Sequence, residues 1–121
     1  MAIDHFSAEC QNCGSTLQVE RLRCPECNLV LDGKIQLPRL ARLNPKEREF
    51  IELFVLSAGS LKEVGRVLGL SYPTVRNQLD NIIGHLQDLE EHSKRQRLNI
   101  IRMVEDKEIS LEAAAALLCN I

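Results

Sequence analysis

The sequence predicts a mostly α chain with a small β unit at its amino terminus. Three observations support this: two C-x-x-C units near the start, two capped, glycine-stopped apolar stretches in the middle, and an alanine-rich apolar stretch at the end. The expected order is a small metal ribbon over residues 1–37, a three-helix unit over 38–92 and a short helical hairpin over 93–121.

Size and composition set the limits. A chain of 121 residues suits one ordinary domain or two very small ones. Hydrophobic residues make up 45%, which is globular rather than disordered, and aromatics only 3%, so the core is expected to be aliphatic. No apolar run is long enough to span a bilayer and no secretion signal opens the chain, so a reducing cytoplasm is the expected location. Five cysteines there point to metal or free thiols rather than disulfides. The net charge of −2 offers a polyanion no overall attraction. Its distribution is uneven: residues 38–97 hold ten basic and eight acidic side chains, and the flanking segments are both net acidic.

The cysteines carry the sharpest signal. Cys10-Gln11-Asn12-Cys13-Gly14 and Cys24-Pro25-Glu26-Cys27-Asn28 each place two sulfurs on one tight turn. Gly14 and Asn28 follow the two turns and tolerate positive φ, while Pro25 fixes φ at the start of the second. Cys10, Cys13, Cys24 and Cys27 are therefore expected to hold one Zn²⁺ in a closed, four-thiolate structural site with no position for water. The segment has too few apolar residues to fold alone, and structural zinc supplies roughly 10–16 kcal/mol of apparent binding free energy. The alternatives are four reduced thiols, or a redox dithiol, which needs exposed, acidic thiols. His5 lies outside both units and is expected to be a frayed terminal residue rather than a ligand. Cys119 reads as a small core residue.

Strands complete the ribbon. Residues 16–22 alternate polar and apolar, and residues 29–31, Asp32-Gly33 and 34–37 predict a hairpin with a type I′ turn.

Residues 37–43 form a linker with apolar anchors, expected to lie on the next unit. Asn44, Pro45 and Glu47 open a first helix through a capping-box arrangement, Phe50, Ile51, Leu53 and Phe54 form its apolar stripe, and Gly59 ends it. Ser60 and Glu63 predict a second capping box, with Leu61, Val64 and Leu68 inward and small Gly65 between them. Gly69 stops that helix, Leu70 is buried in the turn and Ser71 caps a third helix carrying Val75, Leu79, Ile82 and Leu86 inward. A short helix, a glycine turn and a longer helix make a helix-turn-helix.

The run Lys62-Glu-Val-Gly-Arg-Val-Leu-Gly-Leu-Ser71, followed by Thr74-Val75-Arg76, resembles the DNA-reading end of region-four sigma factors and response regulators. More closely, the stretch from Cys10 to about Leu89 is similar to a prokaryotic family called domain of unknown function 2089. That resemblance rests on the paired cysteines, Leu37-Pro38 with Leu40-Ala41-Arg42-Leu43, and Ser71-Tyr-Pro-Thr-Val-Arg-Asn77. It implies a zinc ribbon joined to a helix-turn-helix and a transcriptional regulator.

The residues make their own case for double-stranded DNA. With Val75 and Leu79 inward, Tyr72, Pro73, Arg76, Asn77 and Asp80 lie outward on the third helix. Arg can bridge guanine and Asn can pair with adenine in the major groove. Ser71 and Thr74 can bind phosphate at the helix start, and Lys62 and Arg66 can touch the backbone. The alternative is a protein-interaction adaptor docking on the transcription machinery or another regulator, a use the charge balance fits equally well.

Val75, Leu79, Ile82, Leu86 and Leu89 recur at coiled-coil spacing, compatible with pairing or with packing inside one chain. Ser93 either caps a new helix or lies within a third helix that runs on. The pattern from Ile101 to Ala113 resembles a small helical hairpin found at the ends of several bacterial regulators, with Lys107-Glu108 where a Gly beside a basic residue is usual. Leu111, Leu117 and Leu118 must pack on the body or on a second chain, and a homodimer is the expectation. Catalysis is not expected, since no Ser, His and acid grouping and no glycine-rich phosphate loop stands out and the metal site is closed. His85 and His92 read as solvated or edge positions.

Overall fold

The computed structural model describes residues 6–119. Two antiparallel strands, β1 (Val19–Arg23) and β2 (Val30–Ile35), are followed by a 3₁₀ turn at Arg39–Arg42 and four helices: α1 (Pro45–Leu56), α2 (Leu61–Leu68), α3 (Tyr72–Glu105) and α4 (Leu111–Leu118). No helix among the described residues is long and apolar enough to cross a membrane. His5 lies outside the described residues.

The hairpin differs from the sequence expectation. The chain reverses at Cys24–Asn28, not at Asp32-Gly33, because the cysteine turn already joins β1 to β2, with Arg23 opposite Val30. Asp32 and Gly33 instead lie within β2, where the register slips between Val19 and Arg21. Gly33 takes φ 149° at that bulge, a conformation L side chains rarely adopt. The same glycine signal thus marks a strand irregularity rather than a turn.

The helical core forms as the apolar spacing predicts. Leu43, Phe50, Val64, Val75 and Ile82 are buried together, with Ile51, Leu53, Phe54, Leu61, Leu79, Leu86 and Leu89 packed around them. Asn44 caps α1 through a full capping box: its side chain accepts from Glu47 N–H at 2.8 Å, and Glu47 accepts from Asn44 N–H at 3.0 Å. Ser60 caps α2 in one direction only, because the Glu63 carboxylate turns away to Arg66. Leu68 and Leu70 are not buried. They stand 44% and 37% exposed, Leu68 in the last turn of an eight-residue helix and Leu70 in the connection that follows it, both outside the core cluster.

Two helix ends are closed by residues other than glycine. At the end of α1, Ala58 takes φ 52° ahead of Gly59, with Gly59 N–H donating to Phe54 O and Ala58 N–H to Val55 O. At the end of α3, Lys107 takes φ 59°, with Glu108 N–H donating to Met103 O and Lys107 N–H to Val104 O. Both are Schellman motifs. The left-handed position therefore survives in the carboxyl-terminal turn although Gly is missing from it.

The third helix runs on through Ser93, whose hydroxyl donates to Leu89 O inside the helix. Its 34 residues extend roughly 50 Å at 1.5 Å per residue. Its far end packs on α4, and Ile100 on α3 and Ala114 on α4 are buried. Cys119 is exposed rather than in a core.

The amino-terminal unit is tied to this body by arginine. Arg48 on α1 donates to the carbonyls of Ala41 and Leu43, each at 3.1 Å, and to that of Phe6. Its guanidinium also lies over the Phe6 ring, 5.6 Å from the centroid.

Candidate metal centre and nucleic-acid interface

The two cysteine turns have the same backbone. Cys10 N–H donates to Ser15 O and Gly14 N–H to Cys10 O, both at 2.8 Å. Cys24 N–H donates to Leu29 O at 2.8 Å and Asn28 N–H to Cys24 O at 2.9 Å. Gly14 at φ 75° and Asn28 at φ 59° take the left-handed position the turn requires. Each turn is the tip of a small hairpin, the first closed by a bridge between Glu9 and Thr16, the second by β1 and β2.

Within each turn the sulfurs are close and surrounded by donors. The Ser15 hydroxyl, then the Ser15 N–H and the Cys10 thiol, lower the pKa of Cys13. The N–H groups of Cys27 and Glu26, then the Cys27 thiol, lower that of Cys24. Hydrogen bonds to sulfur favour thiolate, the form that binds metal. Ser15 carries no such signal in the sequence, because its part depends on where the turn aims its hydroxyl. Each pair thus fits half of a four-thiolate site. The pairs are not brought to a common centre: among the described residues no three or more His, Cys, Asp or Glu are grouped to hold a metal ion.

The second site lies at the start of α3. The connection from α2 is three residues, with Gly69 at φ 68° donating to Gly65 O and Leu70 N–H also reaching Gly65 O at 3.0 Å. Val75 is buried against α2, which turns Tyr72, Pro73, Thr74, Arg76 and Asn77 to solvent. Ser71, Lys62 and Arg66 are exposed as well, so all eight nucleic-acid candidates from the sequence are on the surface. Ser71 holds the N-cap position, but its hydroxyl bonds that of Thr74 at 2.8 Å rather than a backbone N–H.

The cations on this face are not all free. Arg66 is paired with Glu63 on the same helix, which raises the arginine pKa and lowers the glutamate pKa. Arg76 lies 3.2 Å from Asp80. Lys62 has no ion-pair partner among the described residues. His85 is half-buried on α3, with Nδ1 2.9 Å from Glu47 Oε2, and serves to join α3 to the start of α1. His92 is exposed.

Residues 43–89 match the model of a family described as domain of unknown function (DUF2089)-HTH. No curated protein and no solved structure matches the chain.

Proposed function

We propose that this chain, whose residues 43–89 match that helix-turn-helix family, is a zinc-containing, double-stranded-DNA-binding transcriptional regulator that acts as a homodimer and has no catalytic role. The observation that carries the DNA reading is the placement of Arg76 and Asn77 on the exposed side of α3, one turn from its start, with Val75 fixed in the core between them and the chain behind. Those are the side chains able to read guanine and adenine edges. Ser71, Tyr72, Pro73 and Thr74 approach the backbone at the helix start, and Lys62 and Arg66 flank them.

Zinc is supported by the matching backbone of the two cysteine turns and by the donors on Cys13 and Cys24. Cys10, Cys13, Cys24 and Cys27 would hold the ion, and the binding free energy would supply what two short, exposed strands lack. Pairing is supported by the carboxyl-terminal helices. Leu98, Ile101, Leu111, Leu117 and Leu118 stay 36–76% exposed in one chain. The segment is also unevenly charged, with Lys94, Arg95, Arg97 and Arg102 ahead of Glu105, Asp106, Glu108 and Glu112, among which Lys107 is the one cation. An antiparallel second copy would match opposite charges across that apolar face.

One observation favours a protein-interaction adaptor docking on the transcription machinery: Arg66 and Arg76 each already have a carboxylate partner, so the face presents little net positive charge. Retention of genomic fragments across a salt series separates the two. Specific retention that weakens as salt rises supports DNA, and no retention at low salt supports the adaptor.

A further inference from the structure

A second concave site lies where the amino-terminal unit and the linker meet the middle of α3. This cleft of about 600 Å³ is flanked by Arg39 and Arg42 on the linker and by Glu90, His92, Lys94 and Arg97 on α3. Four full cations face a single carboxylate there, in a chain whose net charge is −2. A concave wall of one sign focuses the field and raises the local concentration of a counter-ion. Glu90 is shared between Arg39, at 3.5 Å, and Lys94, at 3.6 Å, and Lys94 has a second carboxylate in Glu91 at 3.3 Å, so Arg42 and Arg97 are the cations of the cleft without an ion pair among the described residues. Arg42 reaches only the Thr16 hydroxyl, at 3.5 Å. The side chain of Arg97 has no partner among the described residues.

We propose that this cleft binds a small anion carrying at least two phosphoryl groups. Arginine presents a planar fork that meets phosphate oxygens two at a time, and three arginines from two elements can do so together. The volume lies within the roughly 300–1,000 Å³ of small-ligand pockets. The cleft lies apart from the start of α3, since Arg76 and Lys94 are separated by roughly 27 Å of continuous helix at 1.5 Å per residue. The bound anion would join the linker to α3, so it would hold the amino-terminal unit against the body. The site goes beyond the DNA-binding reading and does not depend on it.

Calorimetric titration of inorganic pyrophosphate into the 121-residue protein at low salt tests this. One equivalent is expected to bind with a Kd under about 1 mM. Arg42→Gln/Arg97→Gln should weaken it by about tenfold or more, as loss of charge-assisted hydrogen bonds requires. Exposed Arg97→Gln alone, which leaves the fold's contacts untouched, should weaken it by a smaller factor. Affinity for DNA should be the same in all three proteins. Absence of binding heat at millimolar pyrophosphate, or equal binding by the single and double variants and the parent, overturns the proposal. A loss of DNA affinity in step with the loss of pyrophosphate binding assigns the cleft to a nucleic-acid backbone and overturns it too.

Discussion

Gly65 of α2 lies against the carbonyl of Leu70: a Cβ added at Gly65 would stand 2.9 Å from that oxygen and 3.4 Å from Val75 Cγ2. The contact is between backbone and backbone, so neither side can yield without moving the turn into α3. Gly65→Ala should therefore cost about 1–3 kcal/mol, as overpacking does. Gly84 offers the comparison, since nothing lies within 4 Å of a Cβ built there. Gly84→Ala should stabilise α3 by about 1 kcal/mol through helix propensity alone. Urea unfolding of the two variants should move the midpoint in opposite directions.

Ala58 and Lys107 close their helices at φ 52° and 59°, where an L side chain is strained. The left-handed position costs such a residue roughly 1–2 kcal/mol, and Gly gives back about 0.5–1 of that in backbone entropy. Ala58→Gly and Lys107→Gly should each gain about 0.5–1 kcal/mol. A lowered or unchanged urea midpoint in both would contradict the Schellman geometry.

The lowered pKa of Cys13 and Cys24 has a chemical readout. Thiolate is the reactive form, so in metal-free protein both should be alkylated by iodoacetamide at a pH below that of an ordinary thiol. Ser15→Ala removes the largest cause at Cys13 and should raise its alkylation midpoint while leaving Cys24 unchanged. Zinc should protect Cys10, Cys13, Cys24 and Cys27 together and leave exposed Cys119 reactive. Peptide mapping by mass spectrometry reads each site, and protection of one pair only would count against a four-thiolate centre.

Arg76 must leave Asp80 to reach a base. Arg76→Ala should weaken specific DNA binding by about 1–3 kcal/mol if it reads an edge. Asp80→Asn removes a negative charge from the same face and releases the guanidinium, so it should strengthen binding and steepen its fall with salt. Fluorescence anisotropy over a salt series measures both, and unchanged affinity in both variants would remove Arg76 from the interface.

The carboxyl-terminal face is tested by charge. Leu98→Glu and Leu117→Glu both place a carboxylate on exposed positions of α3 and α4, where a monomer should tolerate it. In a dimer the burial of that charge is prohibitive. Sedimentation should show the parent as a dimer at micromolar concentration and both variants as monomers.

Much of the local structure was legible from residue order. Asn44, Ser60 and Ser110 each cap a helix, Gly69 stops α2, and the apolar spacing of Phe50, Val64, Val75 and Ile82 names the core. These signals depend on neighbours three or four residues away, which the chain itself specifies. The cysteine turns were legible for the same reason. Asp32-Gly33 misled because a local turn signal lost to a reversal already made eight residues earlier at Cys24.

Residue order by itself settled the caps at Asn44, Ser60 and Ser110, the cysteine turns, the helix-turn-helix and its outward Arg76 and Asn77, because each is a short-range relation between backbone geometry and side-chain type, whereas the Ser71 hydroxyl turns to Thr74 instead of capping α3. Only the tertiary structure decided that Arg48 holds Phe6, that His85 meets Glu47, and that Arg39 and Arg42 face Lys94 and Arg97. Those partners are tens of residues apart: the direction in which the long helix α3 leaves the core brings together the last two sets, and the packing of the amino-terminal segment on α1 the first.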